Sequence, residues 1–301
     1  MLWLALWLPD LPLAAFATRP LASVVAVHGQ ILAADEVARA AGIVPGMRTA
    51  TARALLPEIA VLARDPAREA ALIEELACWA GRFTPTVSLA PPAALLLEIG
   101  ASLRLFGGTV RLLDMVNRGC AERRLTVQRA AAPTPLAALW LARDGDATGA
   151  SCRVVAQDEP ITQALAPLPV EVIDAAPESA ARLAAFGVRH LGDLFALPRS
   201  GLARRLGHAF TETLERALGE RPDPRPRFIF PPRFALRLEL PQPAGEAPAL
   251  SFMARRLIEA LCGWLAQRQA GIATCTLIFE HERSLRHSAE LRLELRCASP
   301  T

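Results

Sequence analysis

The sequence of 301 residues contains no lysine and no tyrosine, so all 33 of its basic side chains are arginine. This bears on any contact with phosphate, because arginine binds it through a planar fork of donors whereas lysine acts as a point charge. The formal net charge is only +3, and proteins that hold nucleic acid by charge alone are usually more basic. Any DNA binding must therefore come from local arginine clusters or be weak, and an ordinary solvated surface explains the charge equally well.

Metal-binding and disulfide patterns are also missing from the sequence. No two of the six cysteines form a Cys-x-x-Cys pair, and no histidine stands at ligand spacing from another candidate ligand. Isolated cysteines of this kind are usually small buried hydrophobes. We therefore expect a reducing cytoplasm, no disulfide framework, no metal and no cofactor. The cysteines are Cys78, Cys120, Cys152, Cys262, Cys275 and Cys297.

The apolar start of the chain is predicted to be a buried strand rather than a targeting segment. The run ends at Pro9 and Asp10, and neither a positively charged stretch nor a clean cleavage site flanks it. It is also shorter than the roughly 20 residues that a membrane-spanning helix needs. We expect a cytoplasmic protein without membrane contact. Its hydrophobic content of 52% is enough for a sizeable core and more than one compact unit.

Apolar periodicity predicts a mixed α+β chain of several domains. Before about residue 160, short apolar runs bounded by proline or glycine alternate with helical patterns. After it the pattern is helical with short loops. Residues 221–227 hold three prolines among charged residues, which is typical of a linker. An alternating run over residues 233–240 predicts a strand, and a long amphipathic helix with two more alternating runs completes a small α+β unit.

Residues 34–47 place an arginine on a short predicted helix, followed by a glycine turn and Gly46-Met47. This stretch, Ala34-Asp-Glu-Val-Ala-Arg39-Ala-Ala-Gly42-Ile-Val-Pro-Gly46-Met47, resembles the fingers of the Y-family (translesion) DNA polymerases. The resemblance implies that Arg39 stands where relatives touch the incoming triphosphate. Glu36 stands where they carry a tyrosine, and an acid there would repel a nucleotide.

Two further segments resemble the palm of the same family, but without its acids. Val87-Ser88-Leu89-Ala90-Pro91, followed by Leu97-Glu98-Ile99, matches the place where active relatives carry an Asp-Glu pair that holds magnesium. Here that pair is Ala90-Pro91. Active relatives also place a metal-binding aspartate at the end of the first strand, where this chain has Ala5-Leu6-Trp7-Leu8. Two-metal phosphoryl transfer needs carboxylate oxygens around Mg²⁺, so the resemblance implies that catalysis has been lost.

The later part of the chain extends the resemblance to the family's thumb and little finger. Residues 180–194, with Gly187 between two predicted helices, match the second half of a helix-hairpin-helix thumb. The first hairpin usually has a Gly-x-Gly turn, and Asp174-Ala-Ala176 replaces it, so we expect weakened phosphate binding there. The tail from Phe228 resembles an incomplete little finger. The implied domains are a palm (1–10 and 76–160), fingers (11–75), a thumb (161–220), a linker (221–227) and a little finger (228–301).

Within the family, the acid-free palm and the N-terminal Leu-Trp-Leu-Pro pattern resemble the ImuB-type branch. The resemblance implies a non-catalytic, DNA-binding scaffold for damage-induced mutagenic translesion synthesis. Its implied partners are primer–template DNA, an error-prone replicative-type polymerase, a RecA-like protein and the sliding clamp. Two alternatives stay open: an active divergent polymerase that uses Asp10 and Glu98, and a module that binds proteins only.

Eight arginines are predicted to contact DNA, and seven of them have a simpler explanation that stays open. A solvated helix face accounts equally for the first three, the helix dipole for the pair at 204 and 205, and a solvated strand face for the last two. The residues are Arg39, Arg48, Arg53, Arg189, Arg204, Arg205, Arg233 and Arg237.

Overall fold

The computed structural model of the protein describes residues 1–16, 19–145, 151–156, 158–173, 177–238, 247–280 and 290–296. The chain divides into two compact units. The first consists of Met1–Pro9 and Phe83–Ile229, and the second of Asp10–Arg82 and Phe230–Thr301. The finer division into palm, fingers, thumb, linker and little finger stays a prediction.

Strands and helices alternate along the first half of the chain, and helices dominate the second. In chain order the elements are β1 (Trp3–Trp7), α1 (Leu11–Ala14), β2 (Ser23–Val27), β3 (Gln30–Ala34), α2 (Glu36–Ala40), α3 (Thr49–Leu55), β4 (Ala60–Ala63), α4 (Pro66–Ala80), β5 (Val87–Ala90), β6 (Ala94–Glu98), α5 (Leu103–Phe106), α6 (Thr109–Glu122), β7 (Gln128–Ala132), α7 (Pro135–Arg143), β8 (Cys152–Val154), α8 (Ile161–Leu165), α9 (Pro177–Ala185), α10 (Leu191–Phe195), α11 (Arg199–Leu206), α12 (His208–Leu218), α13 (Ala247–Arg268), β9 (Thr274–Glu280) and β10 (Glu290–Arg296).

The first unit is built around a five-stranded sheet in the order β5-β6-β1-β7-β8. Strand β1 is antiparallel to both of its neighbours, β6 and β7. Leu4, Ala5 and Leu6 are at most 2% exposed, because a central strand covered on both faces has no solvent side. The predicted buried first strand is confirmed.

Small side chains let helix α7 pack closely on this sheet. Ala5 and Ala130 face a core that also takes in Trp140 of α7. The helix starts at Thr134, whose hydroxyl accepts a hydrogen bond from the backbone N–H of Ala137 (3.2 Å) and donates one to the carbonyl of Ala217 (2.7 Å). This cap fixes the start of α7 to the end of α12 within one core.

The second unit contains a three-stranded sheet in the order β3-β2-β4. The hairpin between β2 and β3 turns at His28 and Gly29, which both have positive φ values (+48° and +78°). Two-residue hairpins need this left-handed geometry to match the strand twist. Strand β4, which the sequence did not reveal, pairs in parallel with β2.

In the same unit, helices α4 and α13 pack closely together. Gly263 is required at their contact, since a Cβ there would lie 2.0 Å from the carbonyl oxygen of Cys78. Beside it, the guanidinium of Arg256 donates to both carboxylate oxygens of Glu75, with a shortest distance of 2.7 Å. Both side chains are buried, so losing either partner would leave an uncompensated charge in the core.

Two local expectations from the sequence are wrong. Residues 233–238 form no strand, while residues 239 and 240 lie outside the described part of the chain. Alternation makes a strand only where a hydrogen-bonding edge is offered, and β9 instead pairs with β10. Cys262, expected to be buried, is exposed on α13, because a small side chain fits the outer face of a helix as well as the inner one.

Two of the other cysteines are buried as predicted, Cys152 and Cys275 are only partly buried, and Cys297 lies outside the described residues. The mixed α+β fold class is confirmed. Cys78 and Cys120 are buried, and burial raises the pKa of each thiol to about 11. Within the described ranges, the helices are all too short or too polar to cross a membrane.

Candidate nucleic-acid interface

Three residues line up across the first unit's sheet where the sequence placed the family's metal ligands. Trp7 at the end of β1 pairs with Ala94 on β6, and Ala94 pairs with Ala90 at the end of β5. Residues directly opposite each other in a sheet point to the same face, and we call this set the Trp7 row. The sequence left the position on the first strand open over residues 5–8, and in the structure Trp7 is the residue of β1 that lies in line with Ala90.

The Trp7 row offers no ligand for a divalent cation. Ala90 is 4% exposed and Ala94 is 2% exposed, and the partly buried Trp7 packs against the same core. Pro91, which follows the row, is exposed. Mg²⁺ needs oxygen ligands, and these side chains supply none, so the row does not fit the ion. Elsewhere, a search of the described residues finds no group of three or more His, Cys, Asp or Glu side chains that could hold a metal.

A cation lies beside the row instead. The guanidinium of Arg143, at the end of α7, sits over the Trp7 ring at 4.9 Å from its centroid. Its Nη1 donates to the carbonyl of Val172 at 2.8 Å. The contact is a cation–π interaction, which holds the charge in place. A fixed positive charge at this point would further disfavour a bound metal ion.

The carboxylate that remains on this sheet, Glu98, stands at the opposite end of β1. It pairs with Trp3, four positions before Trp7, which corresponds to about 13 Å along a strand. The two ions of a two-metal site lie only about 4 Å apart. Glu98 Oε1 accepts hydrogen bonds from the backbone N–H groups of Leu2 (3.3 Å) and Gly100 (3.1 Å). Its role in the structure is therefore to tie the start of β1 to the turn after β6.

Asp10, the second acid considered for metal binding, is engaged by an arginine of its own unit. Its carboxylate accepts from both terminal nitrogens of Arg39 at 3.2–3.3 Å. Arg39 lies in the last turn of the short helix α2. The sequence singled out both residues, but it gave no sign that they meet.

Asp35 positions α2 and was missed by the sequence reasoning. Its Oδ1 accepts from the backbone N–H of Ala38 (2.9 Å) and its Oδ2 from that of Ser23 (2.6 Å). An aspartate directly before a helical pattern is a capping signal, so this role could have been found. The result is a helix held to β2 at its N-terminus, with Arg39 on a fixed support.

The other predicted DNA contacts of the second unit are exposed. Arg48 flanks the start of α3 and Arg53 lies in its last turn. Arg233 and Arg237 are exposed in the segment without regular structure. For these arginines the phosphate-contact prediction and the solvated-surface alternative both stay open.

In the first unit, Arg204 and Arg205 lie in the last turn of α11, as predicted, where the helix dipole also favours them. The guanidinium of Arg205 lies over the ring of Phe186, 4.8 Å from its centroid. The backbone carbonyl of Arg205 accepts a hydrogen bond from Arg182 Nη1 at 2.6 Å. Arg182 and Phe186, which the sequence did not single out, thus connect α9 to α11. Phe186 is 51% exposed, which leaves part of its ring accessible.

The turn between α9 and α10 is rigidly capped. Gly187 has a φ of +71°, the left-handed geometry that glycine adopts without strain. The carboxylate of Asp193 accepts from the backbone N–H groups of Arg189 and His190, each at 3.0 Å. These hydrogen bonds lower the pKa of Asp193. Arg189 itself is exposed, while the preceding turn at residues 174–176 lies outside the described residues.

The family model of the impB/mucB/samB proteins (IMS) matches residues 13–143. This segment is similar to the impB/mucB/samB family. Ala90 and Ala94 of the row lie inside it, whereas Trp7 precedes it. Over 179 residues the chain is 35% identical to Protein ImuB of Caulobacter vibrioides strain NA1000 / CB15N, covering 59% of this chain. The match takes in 38% of the relative, so the chain spans about two fifths of the length of the curated relatives it matches.

Similarity to solved structures extends over the whole chain. The chain superposes on the insertion ternary complex of Dbh DNA polymerase with a TM-score of 0.59 at 16% identity. It superposes equally well, with a TM-score of 0.59 at 18% identity, on a DinB family error-prone DNA polymerase from Sulfolobus solfataricus. Each match covers 100% of this chain and 89% of the other. The fold is therefore that of the Y-family polymerases, as predicted.

Proposed function

We propose that this protein, which is similar to the impB/mucB/samB family over residues 13–143, is a non-catalytic DNA-binding scaffold in damage-induced mutagenic translesion synthesis. The observation that carries the proposal is the Trp7 row, where a polymerase-like sheet presents two alanines and a tryptophan under a fixed arginine. Two-metal phosphoryl transfer has no ligands to use there. The remaining acids, Glu98 and Asp10, are engaged in backbone hydrogen bonds and in an ion pair.

DNA binding is supported by the structural similarity to DNA polymerases and by the surface arginines. The solved neighbours include a ternary complex of a DNA polymerase. The predicted arginines on or beside α2, α3 and α11 (Arg39, Arg48, Arg53, Arg204 and Arg205) are exposed, and a guanidinium can bind phosphate oxygens through two donors at once. We infer that the eight predicted arginines contact the DNA backbone, which positions the protein without reading sequence. At Arg39 the ion pair with Asp10 weakens this contact.

The proposed partners are an error-prone replicative-type polymerase, a RecA-like protein and the sliding clamp. Similarity to Protein ImuB supports this assignment. We also propose the five-domain division given by the sequence, a cytoplasmic location, and expression within the SOS response to DNA damage.

The decisive experiment combines DNA binding and primer extension on one sample. Fluorescence anisotropy with labelled primer–template DNA is measured over a salt series, and extension is tested with Mg²⁺ and with Mn²⁺. The proposal expects binding that weakens steeply with salt, by about 0.9 logarithmic units per contacted phosphate for each tenfold rise in salt, and no extension. Extension that disappears on Glu98→Gln or Asp10→Asn would show an active polymerase instead.

A second candidate function, a module that binds proteins only, is favoured by the low net charge of +3 and by the neutralisation of Arg39. It expects no binding to DNA even at low salt. The same titration therefore separates it from the scaffold.

A further inference from the structure

We propose that Asp10 is an internal substitute for phosphate, which occupies the guanidinium of Arg39 and keeps phosphate-bearing ligands away from it. The inference rests on the proposed function in one respect, that Arg39 belongs to a surface facing DNA or nucleotide. Arg39 Nη1 lies 3.3 Å from both carboxylate oxygens, and Nη2 lies 3.2 Å from Oδ2. Carboxylate and phosphate are the two anions that fit this fork of donors, so one can replace the other.

Asp10 is held in place by helix α1, which begins directly after it. It follows β1 and stands at the start of α1, where its carbonyl accepts from the N–H groups of Leu13 (2.9 Å) and Ala14 (2.8 Å). Leu11 and Leu13 of this helix are buried. The backbone of Asp10 is therefore fixed by packing, and its short side chain has little freedom to lose when it pairs.

Arg39 stands on an equally fixed support. Helix α2 is capped by Asp35, which also binds the N–H of Ser23 on β2. Ala38, next to Arg39, is fully buried, and its carbonyl accepts from Ile43 N at 3.0 Å. An ion pair between two positioned side chains costs less conformational entropy than an ordinary surface pair.

The pair is nevertheless open to competition from solvent. The side chain of Arg39 is 50% exposed and that of Asp10 is 21% exposed. Glu36, one helical turn before Arg39, is also exposed and adds a second negative charge. An arriving phosphate must therefore displace one carboxylate in the field of another. This arrangement weakens anion binding at Arg39 but does not seal the site.

The test is a double-mutant cycle between these two residues. Asp10→Asn keeps the size of the side chain but cannot neutralise Arg39. We expect it to strengthen binding of a phosphate-bearing probe by about two- to fivefold, the range that an exposed ion pair accounts for. Combining Asp10→Asn with Arg39→Gln should abolish the gain. Glu259→Gln, which removes a partly buried carboxylate from an exposed arginine (Arg255, 3.1 Å), should leave affinity at the wild-type level.

Two probes distinguish the source of the phosphate. Labelled primer–template DNA presents backbone phosphates, and a fluorescent deoxynucleoside triphosphate presents a free polyphosphate. A gain with either probe supports the proposal and identifies the ligand. Unchanged binding of both probes, or a gain that persists without Arg39, overturns it. Asp10→Ser is a second variant that removes the same charge. Thermal melts of every variant show whether it is folded.

The failure of this proposal is distinguishable from the failure of the proposed function. Wild-type binding to DNA over the salt series decides whether the scaffold function holds. Binding of the triphosphate probe and the double-mutant cycle decide whether Asp10 competes with phosphate for Arg39. They do so whether or not the wild-type protein binds DNA.

Discussion

The Trp7 row and the arginine-bearing turns of the protein face opposite physical demands. The row is built from buried positions of a central sheet, where an unpaired carboxylate would be costly. The arginines lie on exposed turns and helix ends, where a charged group costs almost nothing. Without bound metal, alanine is the more stable choice at Ala90, while Arg39 or Arg204 can persist at no cost. The comparison teaches that residues in the core of this fold and arginines on its surface are under independent constraints, so a change in one need not alter the other.

The largest effect is expected from putting an acid back into the row. Ala90→Asp should lower the free energy of unfolding by about 3 kcal/mol, because it buries a charge with no partner and close to apolar neighbours. Urea denaturation measures this loss. Ala101→Asp, at an exposed position, is the control and should be close to neutral. A stable Ala90→Asp variant that binds Mg²⁺ in calorimetry would contradict the description of the row.

A smaller effect is expected at the opposite end of the same strand. Glu98→Ala removes the acceptor for Leu2 and Gly100 and should cost about 1–2 kcal/mol of stability. Glu98→Gln keeps an oxygen at the same place and should cost clearly less. Thermal melts of the two variants measure the difference. If Glu98→Gln were as damaging as Glu98→Ala, the negative charge rather than the acceptor would be what matters.

The arginine turns should show the reverse behaviour, with binding affected more than stability. Arg204→Gln should weaken DNA binding several-fold and lower the salt dependence by about one contacted phosphate. Its free energy of unfolding should stay within about 0.5 kcal/mol of the wild type. Arg216→Gln serves as the control. It also removes one positive charge, but Arg216 is already paired with Glu212 at 3.2 Å. Equal losses in both variants would indicate general electrostatics instead of a contact.

The smallest effect concerns the acid that caps the turn beside Arg189. Hydrogen bonds from His190 and Arg189 hold the pKa of Asp193 below its usual value of 3.8. Its contribution to stability is therefore present above that usual value and is lost as the pH falls through the lower value of the folded state. Asp193→Asn should flatten the acid limb of the stability profile, which denaturation at a series of pH values would show. An unchanged acid limb would mean that this carboxylate does not stabilise the turn.

Local chemistry made several features predictable. The His28-Gly29 turn follows from the backbone freedom that a two-residue hairpin demands. The prediction that Ala90 and Pro91 stand where relatives carry acids rests on the residues that carry the resemblance. By contrast, the alternating pattern after Arg233 failed as a strand, because periodicity states which side chains share a face and not whether a partner strand is present.

The sequence by itself determined the fold class, the buried first strand and the absence of carboxylates at Ala90-Pro91, since composition, periodicity and residue identity are local properties. Only the tertiary structure decided that Trp7 is the member of β1 in line with Ala90, because register depends on hydrogen bonding between distant strands. It also decided that Glu98 stands at the far end of the sheet, that Arg143 covers Trp7 and that Asp10 meets Arg39. Each of these depends on distances between residues far apart in the chain, and packing alone sets such distances.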